Sequence, residues 1–160
     1  MPSPRAAKRQ LELPLIEPII PVERPTAWND PDWLFEPKHD GFRRPVSITP
    51  EGCTIRSKRG HTFKRFGALA GPLCEVIAAR SAILDGEVRA VDADGRPELR
   101  GLLRGTGRLV YAVFDLLWLD GRDLRSLPLI RRKRHLENVL PYESPGRCSG
   151  AWPLRSTVAK

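Results

Sequence analysis

Lys38, Asp40, Gly41 and Arg43 lie within one short run, Phe35-Glu36-Pro37-Lys38-His39-Asp40-Gly41-Phe42-Arg43. A lysine is a nucleophile only as the free amine. With an ordinary pKa of about 10.4 it is otherwise an inert ammonium, and burial or neighbouring cations must bring it down. The spacing predicts a lysine at the end of a strand, just ahead of an Asp-Gly turn, shielded on two sides by sheet and desolvated in a crevice. Arg43, on the returning strand, would present a planar fork suited to phosphate. Asp40 would accept from turn amides or steady the lysine. An ordinary hairpin with surface charges contains the same residues, so this spacing alone does not decide between the two.

The elements that must position these residues begin at Trp33. Trp33 to Glu36 reads as a strand ending at Pro37-Lys38, Phe42 to Ile48 as a second, and Cys53 to Ser57 as a third after a Pro50-Glu51-Gly52 turn. Gly71-Pro72 opens a helix to about Arg80, with Leu73, Val76 and Ile77 at helical spacing. Ala82 to Asp92 is a further strand closing on the Asp94-Gly95 turn signal. Leu109 to Trp118 is the most apolar run and the expected central strand. A last helix starts near Pro128, with Leu129, Leu136, Val139 and Leu140 on one side and Arg131, Arg132, Lys133 and Arg134 on the other, the basic run expected as a solvated face. The pattern predicts an α+β domain with a mainly antiparallel sheet.

Ten of the sixteen prolines fall in the first fifty residues. Residues 1–24 therefore read as a Pro-rich basic arm that would wrap the domain through Leu15, Ile16, Ile19 and Ile20 or remain disordered. Residues 25–140 form the expected domain, and 141–160, broken by Pro145, Gly146, Gly150 and Pro153, an irregular tail. The longest stretch free of Asp, Glu, Lys and Arg is the nine residues Phe66 to Cys74, far short of the ~20 of a membrane helix. Three scattered cysteines and three isolated histidines give neither a disulfide framework nor a zinc site, and fit a reducing cytoplasm. Lys and Arg number 27 against 19 Asp and Glu, a net charge of +8 that favours a polyanionic partner such as nucleic acid.

Lys38-x-Asp40-Gly41-x-Arg43 resembles the signature of the covalent nucleotidyltransferases, and its surroundings resemble ATP-dependent DNA ligases, above all the ligase module of the bacterial ligase D group. Further blocks follow in that family's order. They are Ser57-Lys58-Arg59-Gly60, Ile83-Leu84-Asp85-Gly86-Glu87-Val88, Val113 to Gly121, and Leu124 to Leu129 with its arginine-rich helix. The resemblance spans about Pro21 to Leu140. It implies an ATP-grasp-like nucleotidyltransferase fold, with ATP and Mg²⁺ as cofactors and nicked double-stranded DNA as partner.

By the same resemblance, Lys38 would attack the α-phosphate and carry AMP as a phosphoramidate, before the AMP passes to the 5′-phosphate of a nick. Glu36 would accept from the adenine amino group and Arg43 would bind ribose or phosphate. Glu87 would bind a ribose hydroxyl or the metal, and Phe114 would stack on the base. Lys58 or Arg59 would contact nucleotide or the nick's phosphate. From the residues alone, Phe114 could equally be core, and Asp85-Gly86-Glu87 a bulge or turn with exposed acids.

Two departures stand out. The family usually has arginine where Lys58 stands, and a lysine lacks the two-point grip. No glutamate-containing motif, two-lysine strand or OB-fold follows Leu140, so the expectation is a partial adenylation domain, incomplete as a stand-alone enzyme. A catalytically inactive remnant that binds nucleotide or nucleic acid is the alternative. An RNA ligase or guanylyl-transferring capping enzyme, sharing the Lys-x-Asp-Gly core, is a third.

Overall fold

In the computed structural model the described residues are 12–20, 22–26, 30–56, 64–140, 151–153 and 157–158. Ser57 to Gly60, with Lys58 and Arg59, lies outside them. Two long strands form the framework: β5 (Ala82–Val91) and β6 (Arg108–Leu119), paired antiparallel over their full length. Both are rich in Val, Leu, Ile and Ala, as strands covered on both faces are. Beyond β5 come β3 (Val46–Thr49) and β4 (Gly52–Ile55), joined by a hairpin; beyond β6 lies β7 (Arg122–Asp123).

Two short strands belong to the Lys38 run, β1 (Leu34–Phe35) and β2 (Phe42–Arg43). The strand expected over Phe42 to Ile48 is in fact two. Arg44 leaves the ladder to donate its amide to Gly86 O at 2.9 Å, and Pro45 has no amide to donate. Short strands also occur where an irregular tail was expected: β8 (Ala151–Pro153) runs parallel to β6, and β9 (Thr157–Val158) pairs antiparallel with β1. Prolines that bar a central strand are tolerated on such outer positions.

Among the described residues, three α-helices and a 3-10 turn accompany the sheets. The 3-10 turn (Lys64–Leu69) runs into α1 (Ala70–Val76), which packs on β4 and stops four residues before the expected end, its cap formed by Ile77 N–H to Leu73 O at 3.1 Å. Between β5 and β6 sits α2 (Leu99–Arg104), six residues that were not expected as a helix. α3 (Leu129–Val139) begins after Pro128 and packs on β6. The main core cluster includes Val46, Phe66, Leu73, Leu84, Val88, Tyr111, Val113, Leu116 and Leu136. Of the arm residues expected to wrap the domain, only Ile16 is buried, against Ile83 and Leu117; Leu15, Ile19 and Ile20 are exposed. No helix among the described residues is long and apolar enough to cross a membrane.

Candidate active site

Gly41 explains why the Asp-Gly pair must be where it is. A Cβ at this position would lie 2.3 Å from Val88 O and 3.0 Å from the side chains of Glu87 and Arg89. Only glycine lets the chain press this closely on β5. From there β2 pairs in register, Phe42 with Val88 and Arg43 with Glu87. The carboxylate of Glu87 accepts the Gly41 N–H, and the Lys38 ammonium lies within its electrostatic reach. The lysine run and the Asp85-Gly86-Glu87 block are thus two sides of one strand pair.

Gly86 meets an equivalent constraint on the other side. An added Cβ would sit 2.5 Å from Tyr111 Cζ and 2.6 Å from Ala112 O. Tyr111 is fully buried, and its hydroxyl donates to Arg44 O at 2.8 Å, tying β6 to the segment after β2.

The register of β5 and β6 slips twice. Leu84 pairs with Leu116 and Asp85 with Asp115, but Gly86 pairs with Val113, which leaves Phe114 as an extra residue. Such a bulge re-aims a side chain. Phe114 accordingly lies beside Arg43, whose guanidinium carbon is 5.4 Å from the ring centroid. That answers the alternatives for Phe114: it is half-buried against a cation, not sealed in the main core.

The desolvated crevice expected for Lys38 is not formed. Its side chain is 88% exposed, and Nζ donates to Asp40 Oδ1 at 3.0 Å. Residues 36–40 join no strand ladder, so the tip of the turn projects into solvent. The hydrogen bond to Asp40 and its negative charge raise the lysine pKa above its ordinary value, and the same contact lowers that of Asp40. His39, next to it, has Nδ1 2.9 Å from Arg89 Nη1; burial and then the Arg89 charge hold its pKa below the ordinary value.

Arg43 does not present a free fork. Nε donates to Asp85 Oδ1 at 3.0 Å, Nη2 to Asp85 Oδ2 at 2.5 Å, and Nη1 to the Ile19 carbonyl of the arm at 2.7 Å. Asp85 is therefore a buried ion-pair partner and not an exposed turn acid. Desolvation raises its pKa even so, outweighing Arg43. Burial likewise raises the pKa of Glu87, against the opposing pull of the Gly41 amide and Lys38.

The basic helix corrects another expectation. Arg132 and Lys133 of α3 are buried, not solvated. Arg132 grips Asp115 with two parallel hydrogen bonds of 2.9 and 2.8 Å, both side chains about nine-tenths buried, and donates Nη1 to Leu127 O at 2.6 Å. Lys133 is ion-paired with Glu36, the carboxylate expected to read adenine. In a run of four basic residues, nothing in the sequence marks which two turn inward.

The chain thus sets Arg43 against Phe114 and, across the β2–β5 pair, brings Lys38 within electrostatic reach of Glu87, while the charges of Glu36 and Asp40 oppose, without overcoming, the lowering of the His39 pKa by burial and Arg89. An aromatic ring, two cations and two carboxylates are the chemistry a nucleotide needs for base, phosphate and ribose. For a metal the fit is narrower. Among the described residues no group of three His, Cys, Asp or Glu could hold an ion alone, so Glu87 suits only an ion held mainly by phosphate oxygens.

Comparison with known proteins shows the family. The profile of the ATP dependent DNA ligase domain matches residues 22–151. The chain is 32% identical, over 81% of its length, to the multifunctional non-homologous end joining protein LigD of Mycolicibacterium smegmatis, and 32% identical over 87% to that of Pseudomonas aeruginosa. It is also 32% identical over 79% of its length to DNA ligase 4 of Saccharomyces cerevisiae. Among solved structures, mycobacterial DNA ligase D complexed with ATP and MES superimposes with a TM-score of 0.54 at 30% identity, covering 68% of this chain. The ligase domain of M. tuberculosis LigD gives 0.54 at 31% identity over the same share. The chain spans 18% of the length of the two LigD proteins and 38% of the ATP-complexed structure.

Proposed function

The chain belongs to the ATP-dependent DNA ligase domain family, and from that premise we propose that it is an adenylation unit whose Lys38 accepts AMP from ATP for transfer to a nick in DNA. The observation that carries this reading is the juxtaposition of the Lys38 run with Glu87, Arg43 and Phe114 across the β2–β5 pair. In the proposed step the Lys38 amine displaces pyrophosphate from the α-phosphate in line, forming one P–N bond as one P–O bond breaks.

The resting ammonium, held by Asp40, must first lose its proton. Phe114 offers one face to the base and Arg43 a cation to the phosphates. Glu36, held by Lys133, accepts from the adenine amine, and Glu87 takes a ribose hydroxyl. Lys58 and Arg59 are assigned to the phosphate of the nucleotide or nick. Mg²⁺, held largely by phosphate oxygens with Glu87 as its protein ligand, would neutralise developing charge. The setting is a reducing cytoplasm, and the work is end joining or another repair of broken strands.

A second reading has its own support: Arg43 and Glu36 are already satisfied by Asp85 and Lys133, and Lys38 is not desolvated. A remnant that binds nucleotide or nucleic acid without chemistry would look like this. Incubation with α-labelled ATP and Mg²⁺, then with nicked duplex, separates the two. Acid-labile protein label that disappears in Lys38→Ala supports adenylation, while ATP binding with no label supports the remnant. Preference for labelled GTP would contradict both the ligase and the adenine assignments.

A further inference from the structure

Residues 36–40 join no strand ladder, so side-chain contacts must hold the turn that carries Lys38. Pro37, Lys38 and Asp40 are exposed, whereas His39 turns back toward β5 and is half-buried. There Arg89 Nη1 donates to His39 Nδ1 at 2.9 Å. A guanidinium can only donate, so the imidazole accepts at Nδ1 and carries its hydrogen on Nε2. His39 Nε2 and Arg89 Nε are buried without a partner among the described residues, so this one bond joins the two side chains.

Arg89 reaches the turn because residues two apart on a strand share a face. Glu87 and Arg89 therefore flank Gly41. The Glu87 carboxylate takes the Gly41 amide, and the Arg89 stem lies against Gly41, its Cγ 3.0 Å from where a Cβ would stand.

We propose that Arg89 is a positioning residue for AMP transfer, acting through His39 to fix the turn from which Lys38 reaches the α-phosphate. The inference rests on the adenylation proposed for Lys38. The Lys38 side chain is long and exposed, so the backbone at its root decides where Nζ can travel. His39 is the next residue along that backbone. Arg89 holds it from β5, a strand paired on both sides and hence rigid. In-line attack tolerates little error: a misplacement of about 1 Å costs about 100-fold in rate. The loss should fall on the transfer step and not on nucleotide affinity, because Arg89 is assigned no contact with base, ribose or phosphate.

The test compares the full chain with Arg89→Met, Arg89→Lys, His39→Leu and His39→Asn. Met keeps a stem and loses the donor, and Leu loses the acceptor; Lys and Asn keep a donor and an acceptor respectively. In the nucleotide-free chain, hydrogen exchange of the peptide covering residues 38–42 should quicken in the Met and Leu variants and stay near parental in the Lys and Asn variants. At saturating ATP, the self-labelling rate should fall about 100-fold with Met or Leu while the KM changes little. Lys and Asn should recover most of that rate, and the Arg89→Met, His39→Leu double variant should be no slower than either single one. If Arg89→Met does not fold, the two His39 variants test the same bond from its other side. Unchanged exchange, parental labelling in the Met or Leu variant, or a loss confined to KM overturns the proposal. A parent that binds ATP and never labels contradicts the adenylation itself, and the role of Arg89 falls with it.

Discussion

Lys133 of α3 is ion-paired with Glu36, ninety-seven residues earlier in the chain, and its side chain is only 8% exposed. The ammonium fixes the carboxylate assigned to the adenine amine. Lys133→Met should therefore raise the KM for ATP in self-labelling by about tenfold, some 1.4 kcal/mol, with kcat little changed and discrimination against GTP reduced. Lys133→Arg should restore most of it. A lower KM in Lys133→Met would mean that the pair competes with the base instead of preparing its site.

Lys38 is protonated at rest, and its pKa is raised first by the Asp40 hydrogen bond and then by the Asp40 charge. The free amine grows as pH rises, so single-turnover labelling should climb about tenfold per pH unit well past neutrality, with no plateau below the ordinary lysine range. Asp40→Asn removes the cause and should shift the profile to lower pH. A plateau near pH 7 in the parent protein would show that nucleotide binding strips Lys38 of its proton far more strongly than this resting geometry does.

Gly41→Ala sets a Cβ 2.3 Å from the Val88 carbonyl, a backbone atom that cannot swing aside. The expected cost is about 1–3 kcal/mol of stability, read from urea midpoints. Labelling of the fraction that remains folded should fall more steeply than stability does, because the shift carries Lys38 away from Glu87.

Asp115 and Arg132 form a pair with side chains 10% and 9% exposed. Arg132→Ala leaves a buried carboxylate alone and should cost about 3–5 kcal/mol. The double change Asp115→Leu with Arg132→Met removes both charges and should cost distinctly less than either charge removed singly. Equal losses in all variants would mean that the pair is not coupled.

The His39 imidazole is held below its ordinary pKa of 6.5 by burial first and the Arg89 charge second. As pH falls through about 6.5 the unfolded chain takes the proton before the folded one. The contribution of His39 to stability is thus full above that point and is lost as pH drops towards the folded value. Urea titrations of the parent protein and His39→Gln should show their difference shrinking below pH 6.5. Asp85 and Glu87, whose raised pKa values act in the opposite direction, cancel in that difference.

Much of this arrangement is legible in the sequence. The β-rich texture, the two long apolar strands and the start of α3 at Pro128 follow from local pattern, because their residues satisfy one periodicity over many positions. The six-residue α2 escaped notice because so short a stretch carries no period. The sequence marks Gly41 as a turn residue and Gly86 as part of a strand, bulge or turn, whereas each is needed for close approach to a neighbour distant in sequence. The partners of Arg43, Glu36 and Asp115 were equally hidden, since long-range ion pairs leave no mark on spacing. Lys38 is exposed where its strand-end position predicts shelter for a related reason: a strand-end lysine is shielded only if the neighbouring turn packs, and here it projects.

The most direct measurement of the central claim is the intact mass of the chain after incubation with ATP and Mg²⁺, followed by peptide mapping. The account predicts the added mass of a single adenylate, confined to the peptide containing Lys38, lost in acid and absent from Lys38→Arg. An unmodified chain that nevertheless binds ATP, or an adenylate on any other residue, would contradict it.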